Sequence, residues 1–202
     1  MWSLISVSAL LGAGAGWCAR RTASQFVGEH VVQRGWCEAV CATGVAATAW
    51  IAAGELDVWR LVLAIAFWWW CVTLGAIDLC VRRLPNVLTV PGFAVIVGVG
   101  VATGGALAAI VGGVLLATVY LVVHFGVPGS FGAGDVKLAL GVGAAAGLAG
   151  GGAWLCAAVL APALTAGAGC VFLAARRCPP TLPHGPAMCA SVLVALFAAH
   201  IT

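Results

Sequence analysis

The chain has 202 residues, of which 63% are apolar and only 7% charged, and its mean hydropathy is +1.14. A water-soluble domain carries about 25% charged residues, so a soluble globular protein is excluded. The long unbroken apolar runs exclude a barrel, whose strands would alternate with period two over about ten residues. A net charge of +3 is too small to suggest nucleic acid. What remains is an all-α fold: one membrane-embedded domain over residues 1–202, a bundle of about eight transmembrane helices with its N-terminus outside.

Residues 2–18 form the first apolar run, with Arg20-Arg21 just after it. A secretory signal has the reverse order, with its positive charge first, so the spacing predicts a retained helix. Residues 20–35 are the one sizeable polar stretch. A second helix is expected over 37–53, followed by Glu55 and Asp57 in a turn, and a third over 58–80. The third contains Trp68-Trp69-Trp70, read as lipid-facing or interhelical packing. It runs into Ile77-Asp78-Leu79-Cys80-Val81-Arg82-Arg83-Leu84-Pro85-Asn86, where Pro85 disfavours helix at Leu84.

Helices over 87–103 and 106–125 are separated by Gly104-Gly105. Gly126 to Gly134 is a loop rich in Gly and Pro. A sixth helix, 135–150, is dense in Gly and Ala. Its Gly141, Gly143 and Gly147 suit close approach of a neighbouring backbone. Gly150-Gly151-Gly152 breaks it. A seventh helix is expected over 153–175, ended by Arg176-Arg177. Pro179 to Pro186 forms a rigid connector, and a last helix covers 187–201.

Nine cysteines are scattered through the chain without a CxxC pair. Cys37 and Cys41 lie one helical turn apart, but no second half of a metal site follows, so they read as small core residues. No metal and no cofactor is expected.

The basic residues test the topology. With the N-terminus outside, eight of the nine Lys and Arg fall on inner loops: Arg20, Arg21, Arg34, Arg82, Arg83, Lys137, Arg176 and Arg177. Arg60 alone falls outside, beside Glu55 and Asp57. Such a bias marks the cytoplasmic side. It also puts Asp78, at the end of the inward third helix, and Asp135, at the start of the outward sixth, on the same inner boundary.

Six acidic residues exist. Glu29, Glu38, Glu55 and Asp57 read as solvated loop charges. Asp78 and Asp135 remain, each next to apolar helix, where an ionisable group is costly. Two carboxylates about 3 Å apart share one proton. The ionised one can take a proton from water while the protonated one donates to a carbonyl oxygen, which suffices to hydrolyse a peptide bond. Gly132 and Gly134 allow backbone angles and approaches that a side chain would block, giving a peptide room beside Asp135. The plainer alternatives are a helix cap for Asp135 and an ion pair of Asp78 with Arg82, one turn on. His124 and His184 fall near the same boundary and read as interfacial packing. Arg82, Arg83 and Lys137 suit orienting a substrate, tuning the acids, or binding lipid head groups.

Read together, Ile77-Asp78 through Leu84-Pro85-Asn86 and Gly132-Ala133-Gly134-Asp135-Val136-Lys137-Leu138 resemble the type IV prepilin peptidases, GxGD membrane aspartic proteases that include the preflagellin peptidases. Pro183-His184-Gly185-Pro186 is similar to that family's late Pro-x-Gly-Pro element. The resemblance covers roughly 60–202 well and the first helices loosely. It implies that Asp78 and Asp135 are catalytic and that Gly132 and Gly134 belong to the active-site loop. It also implies substrates: prepilin-like proteins with a short basic leader and a hydrophobic helix, cut after a Gly at the cytoplasmic face of the inner membrane. Many members carry an extra segment with paired CxxC zinc motifs and N-methylate the product. Residues 20–35 have no such pair, so zinc is not implied and methyl transfer stays open. The compact form resembles peptidases of tight-adherence (Flp-type), related pilus or competence systems.

Presenilin and signal peptide peptidases also use a GxGD aspartate, and Pro162-Ala163-Leu164 spells their later motif. This chain is much shorter, has Ile77 where they have Tyr, and places that triplet inside a predicted helix. The competing class is a small ion- or proton-coupled transporter using the two aspartates as a relay. That reading expects the acids near the bilayer middle in broken helices.

Overall fold

The structure is a computed structural model and describes residues 2–28, 30, 32–52, 57–127, 131–176 and 182–201. Among the described residues the regular structure is entirely helical. Eight helices follow in order: α1 Trp2–Ser24, α2 Trp36–Ile51, α3 Val58–Val81, α4 Asn86–Thr103, α5 Ala106–Gly126, α6 Ala133–Ala149, α7 Gly151–Ala174 and α8 Gly185–Ile201. Five of them (α1, α3, α4, α5 and α7) are long and apolar enough to cross a membrane. The chain is a polytopic helical membrane protein. Helices α2, α6 and α8 have 16 or 17 residues, roughly 24–26 Å at 1.5 Å per residue. That is a few Å short of a typical hydrocarbon core of about 30 Å.

The chain divides into two compact units, residues 1–82 with 200–202, and residues 83–199. In the first unit, α1, α2 and α3 pack on one another. The buried face of α1 is built of small residues at helical spacing: Ser8, Gly12, Ala15, Gly16, Ala19 and Ala23. A Cβ at Gly12 would strike the Cys41 carbonyl, and one at Gly16 the Cys37 carbonyl, so the two backbones touch. Small residues at every turn allow this. Cys37 and Cys41 are fully buried, free thiols and serve as core, as expected. On α2, Gly44 faces the Trp68 indole, whose Nε1–H donates to Thr48 Oγ1 at 3.2 Å. Trp68 and Trp70 are buried, so the interhelical alternative holds for both.

Helix α1 runs six residues past its expected end. Arg20 and Arg21 do not stop it because each finds a partner. The Arg20 Nε–H donates to Glu38 Oε1 at 2.7 Å, and the Arg21 guanidinium lies over the Trp17 ring, 4.8 Å from its centroid. Glu38 is therefore not a solvated loop charge. It is about three-quarters buried in that ion pair and also accepts from the Gly35 N–H at 3.1 Å, closing the first turn of α2. Asp57 caps α3 by accepting the Arg60 N–H at 2.7 Å. Glu29, Glu55, Cys178, Arg177 and the start of the Pro-rich connector lie outside the described residues.

In the second unit α5 and α6 make the tightest pair, with α4 and α7 against α6. Gly112 and Gly113 of α5 meet the Gly143 and Leu140 carbonyls of α6, and a Cβ at Gly147 would strike Ala108 O. The close approach expected of Gly143 and Gly147 is observed. Trp154 of α7 donates its indole N–H to Gly112 O at 2.9 Å. Gly150 separates α6 from α7 with φ 113°, a left-handed conformation that glycine adopts without a steric penalty. Pro162 lies inside α7, so the Pro-Ala-Leu triplet is helical, as expected.

Candidate active site

Asp78 is in the last turn of α3 and only 5% exposed. Every residue from Trp70 to Asp78 is buried, whereas Leu79, the next residue, is exposed. The helix ends at Val81, three residues before Leu84. Arg82 takes a left-handed conformation, φ 53°, and its N–H returns to Asp78 O at 3.0 Å. A single non-glycine residue in that region costs about 1 kcal/mol. The ending is therefore made by the backbone at Arg82, and Pro85 instead caps the start of α4.

Asp135 belongs to the second unit. Helix α6 starts at Ala133, two residues earlier than the sequence suggests, so Asp135 is its third residue. The Gly132 N–H donates to Asp135 Oδ2 at 2.9 Å, which orients the carboxylate. The capping role weighed from sequence is thus present, and Asp135 remains half-buried rather than enclosed.

The two glycines act differently from expectation. Gly132 has φ −79° and ψ 157°, extended backbone that any residue adopts, and a Cβ there would make only ordinary contacts. Gly134 is helical, without a positive φ. What it needs is space: a Cβ would lie 3.2 Å from Leu84 Cβ. Special backbone angles are not why the turn holds glycine. The close approach of Leu84 explains Gly134, and nothing in the structure explains Gly132.

A second link joins the same segments. Lys137 Nζ donates to Asn86 Oδ1 at 2.8 Å. The Leu-Pro-Asn run after Asp78 is thereby attached to the first turns of α6 through one apolar and one polar contact.

Beside the turn lies a cluster absent from the expected site. The Phe131 ring packs on Tyr120 of α5, with centroids 4.9 Å apart, and on His184, 4.6 Å apart. His184 is buried, 5% exposed. Its Nε2 meets Tyr120 Oη at 2.7 Å and its Nδ1 meets Thr165 Oγ1 at 2.6 Å. His184 is thus a buried residue bonded through both ring nitrogens. Burial pushes its imidazole down to about 4, so it is neutral at pH 7. His124 Nδ1–H donates to Phe131 O at 2.6 Å. The Tyr120 phenol is within electrostatic reach of Asp135. Tyr120 is the chain's one tyrosine, a polar group inside an apolar run, and that was the available signal. Phe131 and Thr165 carried none.

Among the described residues no group of three or more His, Cys, Asp or Glu is placed to hold a metal ion.

Apolar helices, several of them long enough to cross a bilayer, define a multi-pass membrane protein, and the comparison with protein families then gives its class of activity. The type IV leader peptidase family matches residues 65–199, well over half of the chain. The chain belongs to that family and is a membrane peptidase. Neither curated proteins nor solved structures yield a match.

Proposed function

We propose that the protein is an aspartic endopeptidase of the GxGD type, and that it removes short basic leaders from prepilin-like precursors at the cytoplasmic face of the cell membrane. Asp78 and Asp135 share one proton. The ionised carboxylate takes a proton from the attacking water while the protonated one gives its proton to the scissile carbonyl oxygen. The first acid, now protonated, then gives its proton to the leaving nitrogen as the second recovers one from the gem-diol and the C–N bond breaks. Hydrolysis needs no metal or covalent intermediate in this scheme.

The observation that carries the reading is the burial of Asp78 in the last turn of an apolar helix, within the segment that matches the peptidase family. A carboxylate in such surroundings is expensive to keep unless it has a task. The inward bias of the basic residues supports the cytoplasmic face, and the same cations suit a membrane surface rich in anionic lipid.

The test is cleavage of a prepilin-like precursor in membranes containing wild-type protein, Asp78→Asn or Asp135→Asn. Each variant is expected to insert normally and to process nothing. Full processing by either would remove the two-acid mechanism.

A further inference from the structure

Phe131 is the residue through which the buried His184 cluster reaches the GxGD turn. Thr165 Oγ1 lies 2.6 Å from His184 Nδ1 and 3.2 Å from Ala161 O, and Tyr120 Oη lies 2.7 Å from His184 Nε2. Neutral imidazole has one donor and one acceptor, so in either tautomer both ring nitrogens are bonded, one to Tyr120 and the other to Thr165. The chain Tyr120–His184–Thr165 is continuous. It holds the imidazole plane and the phenol plane in place, and both rings rest against Phe131.

Phe131 is held at its other end as well, where its carbonyl accepts from His124. The next peptide N–H, that of Gly132, is the donor to Asp135 Oδ2. Ring contact, carbonyl contact and carboxylate contact thus follow one another over two residues of chain.

We infer that His184 and Tyr120 are positioning residues which, by clamping Phe131, set the direction in which Asp135 presents its carboxylate. The inference rests on the reading of Asp135 as a reacting group. His184 and Tyr120 act through Phe131 and Gly132 and need not touch a substrate. Reaction rate is sensitive to such placement, since a displacement of about 1 Å can cost on the order of 100-fold.

The helices packed on α6 carry few other titratable groups. Helix α4 has none, α5 has Tyr120 and His124, and α7 has Cys156 and Cys170, while α6 itself adds Lys137. On the two-acid reading Asp78 is the one other acid to consider, so loss of the Gly132 N–H contact acts on the shared titration of the Asp78–Asp135 pair. It removes a hydrogen bond to the ionised form and moves the acid limb of the rate profile to higher pH.

The experiment measures kcat, KM and the acid limb for Phe131→Ala, His184→Gln and Tyr120→Phe. The probe is a synthetic precursor with a Lys/Arg leader, a Gly at the cut, and about twenty apolar residues. The expected result for Phe131→Ala and His184→Gln is a loss in kcat of roughly 10- to 100-fold, an unchanged KM and an acid limb moved upward. Phe131→Leu, which keeps volume but not the ring, falls between. Because stability itself falls towards low pH, the folded fraction of each variant is measured at every pH and divided out of the rate, and only a limb shift that survives this correction counts as positioning. If Phe131→Ala does not fold, Phe131→Leu and His184→Gln carry the same two readings. Unchanged kcat and limb in these variants overturn the clamp. Asp135→Asn is assayed beside them: if it still cleaves, the two-acid reading is what fails, and if it is dead while the clamp variants behave as wild type, the clamp alone fails.

Discussion

Lys137 Nζ donates to Asn86 Oδ1 at 2.8 Å, joining residues 51 apart in the chain. One belongs to the segment that follows Asp78, the other to the turn that carries Asp135. The bond is exposed, so its worth to stability is small, on the order of 0.5–1 kcal/mol. Its value lies in register, because it ties the start of α4 to the first turns of α6.

That gives a prediction about coupling. Asn86→Ala and Lys137→Met should each slow precursor cleavage, and the double variant should be no slower than the worse single. Initial rates from the four proteins form a double-mutant cycle. Fully additive losses would mean that the two side chains act separately.

The GxGD glycines should separate when each is changed to alanine. Gly132→Ala has room and an ordinary backbone conformation, so thermal stability and cleavage should stay near wild type. Gly134→Ala places a methyl 3.2 Å from Leu84 Cβ, so the Leu84 segment must yield by a few tenths of an ångström. Cleavage should fall more than melting temperature does. Equal tolerance at both positions would contradict the packing argument.

Side chains added between α5 and α6 should act on the fold rather than the chemistry. A methyl at Gly143 meets Gly112 O and Leu116 Cβ. Overpacking of this kind costs about 1–3 kcal/mol, so Gly143→Ala should lower thermal stability in detergent while the surviving folded fraction cleaves with normal KM. An unchanged melting curve would show that the helices can part without cost.

His184 should make stability depend on pH. Its folded pKa, about 4, lies below the ordinary value of 6.5. Between these values the unfolded chain binds more protons than the folded one, so stability rises with pH across the window and falls as pH drops from about 6.5 towards 4. The full loss is on the order of 3 kcal/mol. Unfolding measured at pH 7, 5.5 and 4.5 should show it, and His184→Gln should flatten the slope. A slope that survives the substitution would assign it to another group.

Cleavage should survive EDTA, because the chemistry proposed for Asp78 and Asp135 uses water and carboxylates alone. Activity lost to a chelator and restored by added metal would contradict that scheme.

Composition alone determined that this is a helical membrane protein, since a chain with 7% charged residues cannot cover a surface in water. Apolar run length placed eight helices, with ends mostly within two residues. The exception, α1, runs on to Ser24 because Arg20 and Arg21 are satisfied by Glu38 and Trp17, partners that no local pattern announces. The two motifs around Asp78 and Asp135 were legible because their residues are contiguous. The fold alone decided what surrounds them. Leu84 on Gly134, Asn86 on Lys137, and Tyr120, Thr165 and His184 around Phe131 are contacts between distant segments. Local sequence sets helix and turn through short-range sterics and hydrophobic run length. Which polar groups meet depends on how the helices pack, and that is a property of the whole chain.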